Sequence, residues 1–334
     1  MKKNSKFFLI CLIAAIFSIF AVGCSAKESQ STSSSSNSSS SKSSNDKQIT
    51  IGFSVGMNMV KHWNLEVKGA EMAAKDNGAK LIWKSADLNQ QSQVADIENM
   101  TQSGVKALIV APVDSQGIVP TVNEVKGKNI PVFTSDIGVS GTDVQAHVSS
   151  DNVKIGEMAA DELAKLMGEK GDIGVITWTT VSATKDREKG FLDGLKKYPN
   201  IHVVASQDSG GDRNQALSVT ENMIQKHPKL DGIFGVNASA AMGAYGATTA
   251  ANMKLPIMGV DSDEDLLKAI KSGGNLKATI AQNPYEMGYT VVKTALAALK
   301  GEKVEPKIAI PAELVTKENV DKILERDNGF LAKK

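Results

Sequence analysis

The sequence is poor in the residues that most often carry chemistry. It has two cysteines, Cys11 and Cys24, and four histidines, His62, His147, His202 and His227, none at metal-ligand spacing. A disulfide framework is therefore excluded, and no H-E-x-x-H metal site can be built. No G-x-x-x-x-G-K-[ST] loop follows an apolar run, and GVNASAAMGAYG lacks the G-x-G-x-x-G spacing. No G-x-S-x-G nucleophile elbow is expected either. These absences point away from an enzyme and away from any cofactor or metal. Charge of one sign is lacking too: the formal net charge is +1, which indicates neither nucleic acid nor an acidic polymer as partner.

What is present begins with an export signal. Lys2, Lys3 and Lys6 precede an apolar run from Phe7 to Val22, and small residues follow at Gly23 and Cys24. A charged start, a short apolar stretch and a small-residue cut site make a secretory signal, and the run is brief for a membrane span. The AVGC at 21–24 resembles a bacterial lipobox with Ala21 where Leu is usual, which makes Cys24 the expected lipidation site; an ordinary signal cut is the alternative. Cys11 leaves with the signal, and the charge of what remains falls to about −2. The Ser-rich tract that follows cannot bury a core and is expected to be a flexible tether.

From Thr50 onward, short apolar runs alternate with amphipathic stretches. The first series is TIGFSV, AKLIWKSA, KALIVA and IPVFTSD; the second is GDIGVITW, HVVASQ, DGIFGV, LPIMGVD and KATIAQ. Strand and helix in this order imply an α/β fold with two parallel sheets, each covered on both faces. The join falls near AHVSSDN at 146–152, and the helix PYEMGYTVVKTALAALKG has no evident sheet of its own. His62 and Trp63 sit where the first strand hands over to its helix, at the carboxyl end of a sheet, where such folds bind ligands.

Polar residues recur at the other strand ends: Asp136, Asn237, Asp261 and Gln282. Carboxylates and amides suit paired hydroxyls, and an aromatic face suits the C–H face of a sugar ring. The competing reading for each alone is helix capping, which is strongest for Asp261 ahead of SDEDLLKAI.

PVDS at 112–115, NIPVFTSD at 129–136, SSDN at 149–152, DREKGF at 186–191, MGVD at 258–261 and ATIAQNP at 278–284 occur in an order that resembles the ribose- and galactose-type periplasmic sugar-binding proteins. These are the solute receptors of ABC transporters, and their core also serves as the effector domain of lactose-repressor-like regulators. The resemblance spans about residues 48–320. It implies the type I periplasmic-binding-protein fold: two Rossmann-like lobes joined by a three-crossover hinge near Ser150–Asn152, Gln282–Pro284 and Pro311. It matches Asp136, Arg187, Asn237, Asp261 and Gln282 to ligand-binding positions, and His62 and Trp63 to a pair of lobe-one aromatics.

Three departures stand out. Ile137 replaces an arginine after the first aspartate, Gly211 replaces an aromatic in GGDR, and His62 fills an aromatic slot. Trp178, at the end of GDIGVITW, either supplies the missing stacking face or packs as core. The ligand implied is a small sugar, pentose or hexose, with ribose disfavoured. A lipid-anchored monomer on the outer face of the cytoplasmic membrane would pass it to an ABC permease; a sensor presenting it to a membrane signalling protein is the alternative. The division expected is 1–23 signal peptide, 24–47 lipidated cysteine and tether, 48–150 with 283–311 lobe one, 151–282 with 312–325 lobe two, and 326–334 a tail.

Overall fold

The computed structural model describes residues 48–57 and 60–333. The expected signal peptide, Cys24 and the tether lie outside the described residues. The first half runs β1 (Thr50–Val55), α1 (Lys61–Asp76), β2 (Lys80–Ser85), α2 (Gln90–Gln102), β3 (Ala107–Val110), α3 (Val119–Gly127), β4 (Val132–Ser135) and β5 (Ala146–Ser150). The second continues α4 (Asn152–Met167), β6 (Gly171–Thr177), α5 (Ser182–Leu195), β7 (Ile201–Asp208), α6 (Arg213–Lys226), β8 (Gly232–Gly235), α7 (Ala238–Ala250), β9 (Ile257–Val260), α8 (Glu264–Ser272) and β10 (Leu276–Ala281). The chain ends with α9 (Pro284–Leu299), β11 (Lys307–Ile310), β12 (Glu313–Val315) and α10 (Val320–Leu331).

Two six-stranded sheets result, in the orders β11-β5-β4-β3-β1-β2 and β12-β10-β9-β8-β6-β7. Every pairing is parallel except β12 against β10. The central strands β3, β4, β8 and β9 are buried at every residue, which is why they read as unbroken apolar runs rather than alternating ones. The two orders are the same when β1–β5 are laid on β6–β10. Positions after β1 and β6, and after β4 and β9, are thus topological equivalents.

The chain passes between sheets three times: from β5 through α4 to β6, from β10 through α9 to β11, and across Pro311 and Ala312 to β12. The lobes exchange helices as a result. Helix α4, which follows a lobe-one strand, packs on β8–β10, and α9, which follows a lobe-two strand, packs on β3–β5. The α1–α9 crossing is close because two glycines meet there. A Cβ on Gly69 would lie 1.9 Å from the Tyr285 carbonyl oxygen, and one on Gly288 1.8 Å from that of Glu66.

Four details differ from the sequence reading. AHVSSDN is not only a join, since it contains β5, paired between β4 and β11. The edge strands β11 and β12 were not anticipated. Helix α1 starts at Lys61, so the handover from strand to helix falls before His62, and both His62 and Trp63 lie in the first turn. Helix α10 runs to Leu331, through residues assigned to a tail, because Val320, Ile323 and Asp327 are buried against the fold.

Candidate functional site

Helix α1 opens on the cleft between the sheets and carries His62 and Trp63 into it, their rings edge to face with centroids 5.1 Å apart. Asp136 follows β4 and Asp261 follows β9, the equivalent strand of the other lobe. Both aspartates hold left-handed backbone conformations, with φ of 57° and 87°. Such geometry costs energy in a non-glycine residue and tends to persist where it aims a functional side chain. Here it turns two carboxylates from opposite sheets toward one space.

That space is a cavity between the lobes with about 480 Å³ free of protein atoms, part of it open to solvent. All nine residues singled out from the sequence line it: His62, Trp63, Asp136 and Ile137 from lobe one, Trp178, Arg187, Asn237 and Asp261 from lobe two, and Gln282 from the hinge. The capping alternative is divided between the residues. Asn237 does cap α7, its Oδ1 accepting from the Ala240 N–H at 2.9 Å. Asp261 caps nothing of its own; its Oδ2 accepts from the Ala238 N–H at 3.0 Å and its Oδ1 from Gln282 Nε2 at 2.8 Å. A carboxylate at the start of α7 is favoured by the helix dipole.

Arg187 is held from two sides. Its Nε donates to Asn152 Oδ1 at 2.8 Å and its Nη1 to the Val236 carbonyl at 3.0 Å, with Asp261 Oδ1 3.9 Å from Nη1. Trp178 lies flat over Gly211, where a Cβ would come within 2.8 Å of the indole. Trp178 follows β6, the equivalent of the strand that leads to Trp63, and it both lines the cavity and packs in the core. Ile137 is buried beside Asp136 and shares the apolar wall with Val181 and Ala183 across the cleft.

Some polar atoms on the wall are poorly satisfied within the protein. Gln282 Oε1 is buried without a hydrogen bond, and His62 Nε2 and Asp136 Oδ1 have only each other, 3.4 Å apart. Buried groups left in this state are rare and costly, and they fit a ligand that brings hydroxyls.

The charges nearly cancel. His62 Nε2 lies 3.4 Å from Asp136 Oδ1. Burial opposes a charge on His62, but Asp136, by its charge and hydrogen bond, then Asp261 and Glu66, outweigh it and carry the imidazole up to about 10. Burial likewise pushes Asp136 up, yet the His62 and Arg187 charges hold it below the usual carboxylate range. Two carboxylates thus face an imidazolium and a guanidinium, with a third acid, Asp263, beside them.

Two acidic residues escaped the sequence reading. Asp263 precedes α8 but makes no side-chain cap; it lines the cavity and accepts from the His62 backbone N–H, and burial, with Asp261 beside it, pushes it up to about 6. Glu66 lies one turn beyond His62, fully buried, with its Oε1 accepting from Ser135 Oγ. Burial and the nearby Asp136 push Glu66 up to about 8. The one available signal for Glu66 was an acid on the face of α1 that also carries Leu65, Ala70 and Ala73.

The letters Gly52-Phe53-Ser54-Val55-Gly56 do spell G-x-S-x-G, contrary to the sequence reading above. They form no nucleophile elbow: Ser54 is in the body of β1, fully buried, and its Oγ accepts from Gln93 Nε2. Among the described residues no three His, Cys, Asp or Glu are placed to hold a metal.

The lobes touch directly beside the cavity. The Ser182 N–H donates to Ser115 Oγ at 2.9 Å, the Ser115 N–H to the Thr180 carbonyl at 3.2 Å, and the Gly138 N–H to Ser182 Oγ at 3.0 Å. Ser115 and Gly138 belong to lobe one, Thr180 and Ser182 to lobe two, so this is a closed arrangement.

Comparison with known proteins agrees with this architecture. The family model for the periplasmic binding protein domain matches residues 51–303. The ribose import binding protein RbsB of Haemophilus influenzae is 36% identical over 249 residues, covering 74% of this chain and 85% of that protein. RbsB of Bacillus subtilis is 34% identical over 273 residues, covering 81% and 88%. An ABC transporter solute-binding protein from Agrobacterium vitis, solved with α-D-tagatopyranose, superposes with a TM-score of 0.80 at 28% identity, covering 86% of this chain and all of that one. Fold, cleft and family match together assign the chain to the periplasmic binding protein family, among its ribose- and galactose-type sugar-binding proteins.

Proposed function

We propose that this protein is an exported, lipid-anchored receptor that captures a neutral pentose or hexose between its lobes and delivers it to an ABC permease. The observation that carries the reading is the meeting of Asp136 and Asp261, from equivalent ends of two sheets, across one cavity bounded by Trp63 and Trp178. Tryptophan faces exclude water from the apolar faces of a sugar ring, while charged groups make hydrogen bonds to its hydroxyls stronger than neutral groups would. With Asp136, Asp261 and Asp263 set against His62 and Arg187, the wall has no excess of cations to hold an anion, which is compatible with an uncharged ligand. Where a second arginine would follow Asp136 in ribose receptors, Ile137 offers no donor, which favours a ring with fewer hydroxyls or a different stereochemistry on that side.

Closure needs no covalent chemistry. A ligand that touches both lobes binds the closed form in preference to the open one, and the closed form is the one presented to the permease. Cys24 supplies the anchor and the Ser-rich tract the tether in this reading. Delivery rather than sensing is favoured by the relatives named as import and transporter proteins.

The test is a thermal-shift and calorimetric screen of the chain against pentoses, hexoses and polyols, paired with sugar uptake in a strain lacking the gene. Submicromolar binding of one neutral sugar with loss of its uptake is the expected result. Binding without an uptake defect would replace delivery by sensing, and no binding across the panel would remove the sugar assignment.

A further inference from the structure

The sugar cavity is not the end of the cleft. It opens outward into a second chamber of about 1400 Å³ on the same measure, part of it open to solvent. The two share Met57, Val60, Gly211, Ala238, Ser239 and Asp263, so the throat between them joins three small residues to an apolar pair and one acid. Beyond the throat the apolar part of the outer wall is Leu88 and Met242, continuous with Met57 and Val60. No aromatic residue lines it among the described residues, in contrast to the inner cavity with its two tryptophans.

Apart from Asp263 in the throat, which accepts from the His62 backbone N–H, the charged residues of the outer wall are already engaged. Arg213 pairs with Asp265, Lys268 with Glu264 at 2.5 Å, and Lys61 lies 3.8 Å from Asp327. Asp212 caps α6 and Asp87 accepts from Ser85 Oγ. What the wall leaves unmatched is apolar. Leu88 is the clearest case: it is 38% exposed, stands in a left-handed conformation with φ of 61°, and is held there by its N–H donating to the Gly56 carbonyl at 2.9 Å. A strained, exposed leucine at a cleft mouth contributes little to the core, and it gains stability when something apolar covers it. Methionine, as at 57 and 242, adapts its shape to apolar groups of varied outline.

We propose that the ligand is a glycoside: a sugar whose ring occupies the inner cavity and whose alkyl or aryl aglycone passes the Gly211–Ala238–Ser239 throat to rest on Leu88, Met57 and Met242. This rests on the sugar reading above and adds the substituent to it. Without an aromatic platform among the described residues the outer chamber is not built to stack a second sugar ring, and with its lysines and arginine paired and Asp263 in the throat it is not built for an anion.

Isothermal titration of the full chain tests this with free pentoses, hexoses and myo-inositol beside the butyl and phenyl glycosides of the same sugars in both anomers. At least one glycoside is expected to bind tenfold or more tighter than its parent sugar. Leu88→Ser and Met242→Ser should cut that advantage to threefold or less while leaving the parent sugar's Kd unchanged. Free sugars that bind as tightly as every glycoside would overturn the aglycone assignment and leave the sugar reading standing. A disaccharide or nucleoside preferred over the butyl and phenyl glycosides would overturn it in favour of a polar substituent. A glycoside advantage untouched by both substitutions would place the aglycone elsewhere, and no binding by any compound would overturn both readings.

Discussion

The indole of Trp178 rests on the backbone of Gly211 so closely that a methyl group added to Gly211 would lie 2.8 Å from the ring. The two residues come from different elements of lobe two, one after β6 and one in the turn before α6. Their contact holds the second tryptophan of the cavity in place. Gly211 also has a φ of +77°, a region that other residues enter at a cost.

We predict that Gly211→Ala displaces Trp178 and weakens both stability and binding. Backbone strain and the clash together should cost about 1–3 kcal/mol of folding stability. Affinity for the best sugar of the screen should fall about tenfold. Thermal melts and calorimetry read the two effects, and an alanine variant with parent-like affinity would mean that Trp178 does not touch the ligand.

Asp136→Asn is expected to be more damaging to binding than its size suggests. It leaves the buried His62 imidazolium short of its main counter-charge, and breaking a buried ion pair from one side typically costs about 3–5 kcal/mol. Sugar affinity should fall at least a hundredfold, and the His62 pKa, followed by NMR, should drop below about 10. An unchanged His62 titration would show that another acid holds the proton.

His62 also makes a pH prediction. The fold keeps its proton up to about pH 10, against 6.5 for a free imidazole. Because the folded pKa is the higher one, the stability gained is complete below 6.5 and is lost as pH rises from there through 10. Denaturant titrations should therefore show the stability of the parent relative to His62→Gln falling steadily from pH 7 to 10. A difference constant over that range would mean that His62 is neutral in the fold.

Ser115→Ala removes the acceptor for the Ser182 N–H between the lobes. Loss of one such bond is worth about 0.5–1.5 kcal/mol, so the closed form should release sugar about threefold to tenfold faster with little change in association rate. Stopped-flow tryptophan fluorescence measures both rates. Equal release rates would show that the contact does not hold the lobes shut.

The fold was legible where burial left one interpretation. ALIV, VFTS, GIFG and IMGV are buried throughout, so their apolar runs mark strands without help from their neighbours. Edge strands were not legible: β11 is exposed at two of its four residues, and β12 is three residues long and exists through its pairing with β10. The strand-end residues Asp136, Asn237 and Asp261 could be found because the strands that present them were. Asp263 could not, since an acid before a helix looks the same whether it caps that helix or turns from it toward His62. For Gly211 the sequence suggested Trp178 as one of two alternatives, but not the contact itself, because the ring that excludes a side chain there is contributed from 33 positions away in the chain.

The exchange of helices between lobes bears on how the chain matures. During synthesis the first 150 residues supply five of the six strands of lobe one, but the groove around Gly69 stays uncovered and the outer edge of β5 unpaired until α9 and β11 emerge. Lobe two, apart from the short β12 and α10, is contained in the stretch that comes out before them. The lobe that starts first is therefore completed after its neighbour's main body, and a ribosome stalled before residue 284 would leave the five-stranded sheet of lobe one with the edge of β5 open and its α9 face uncovered, prone to aggregation.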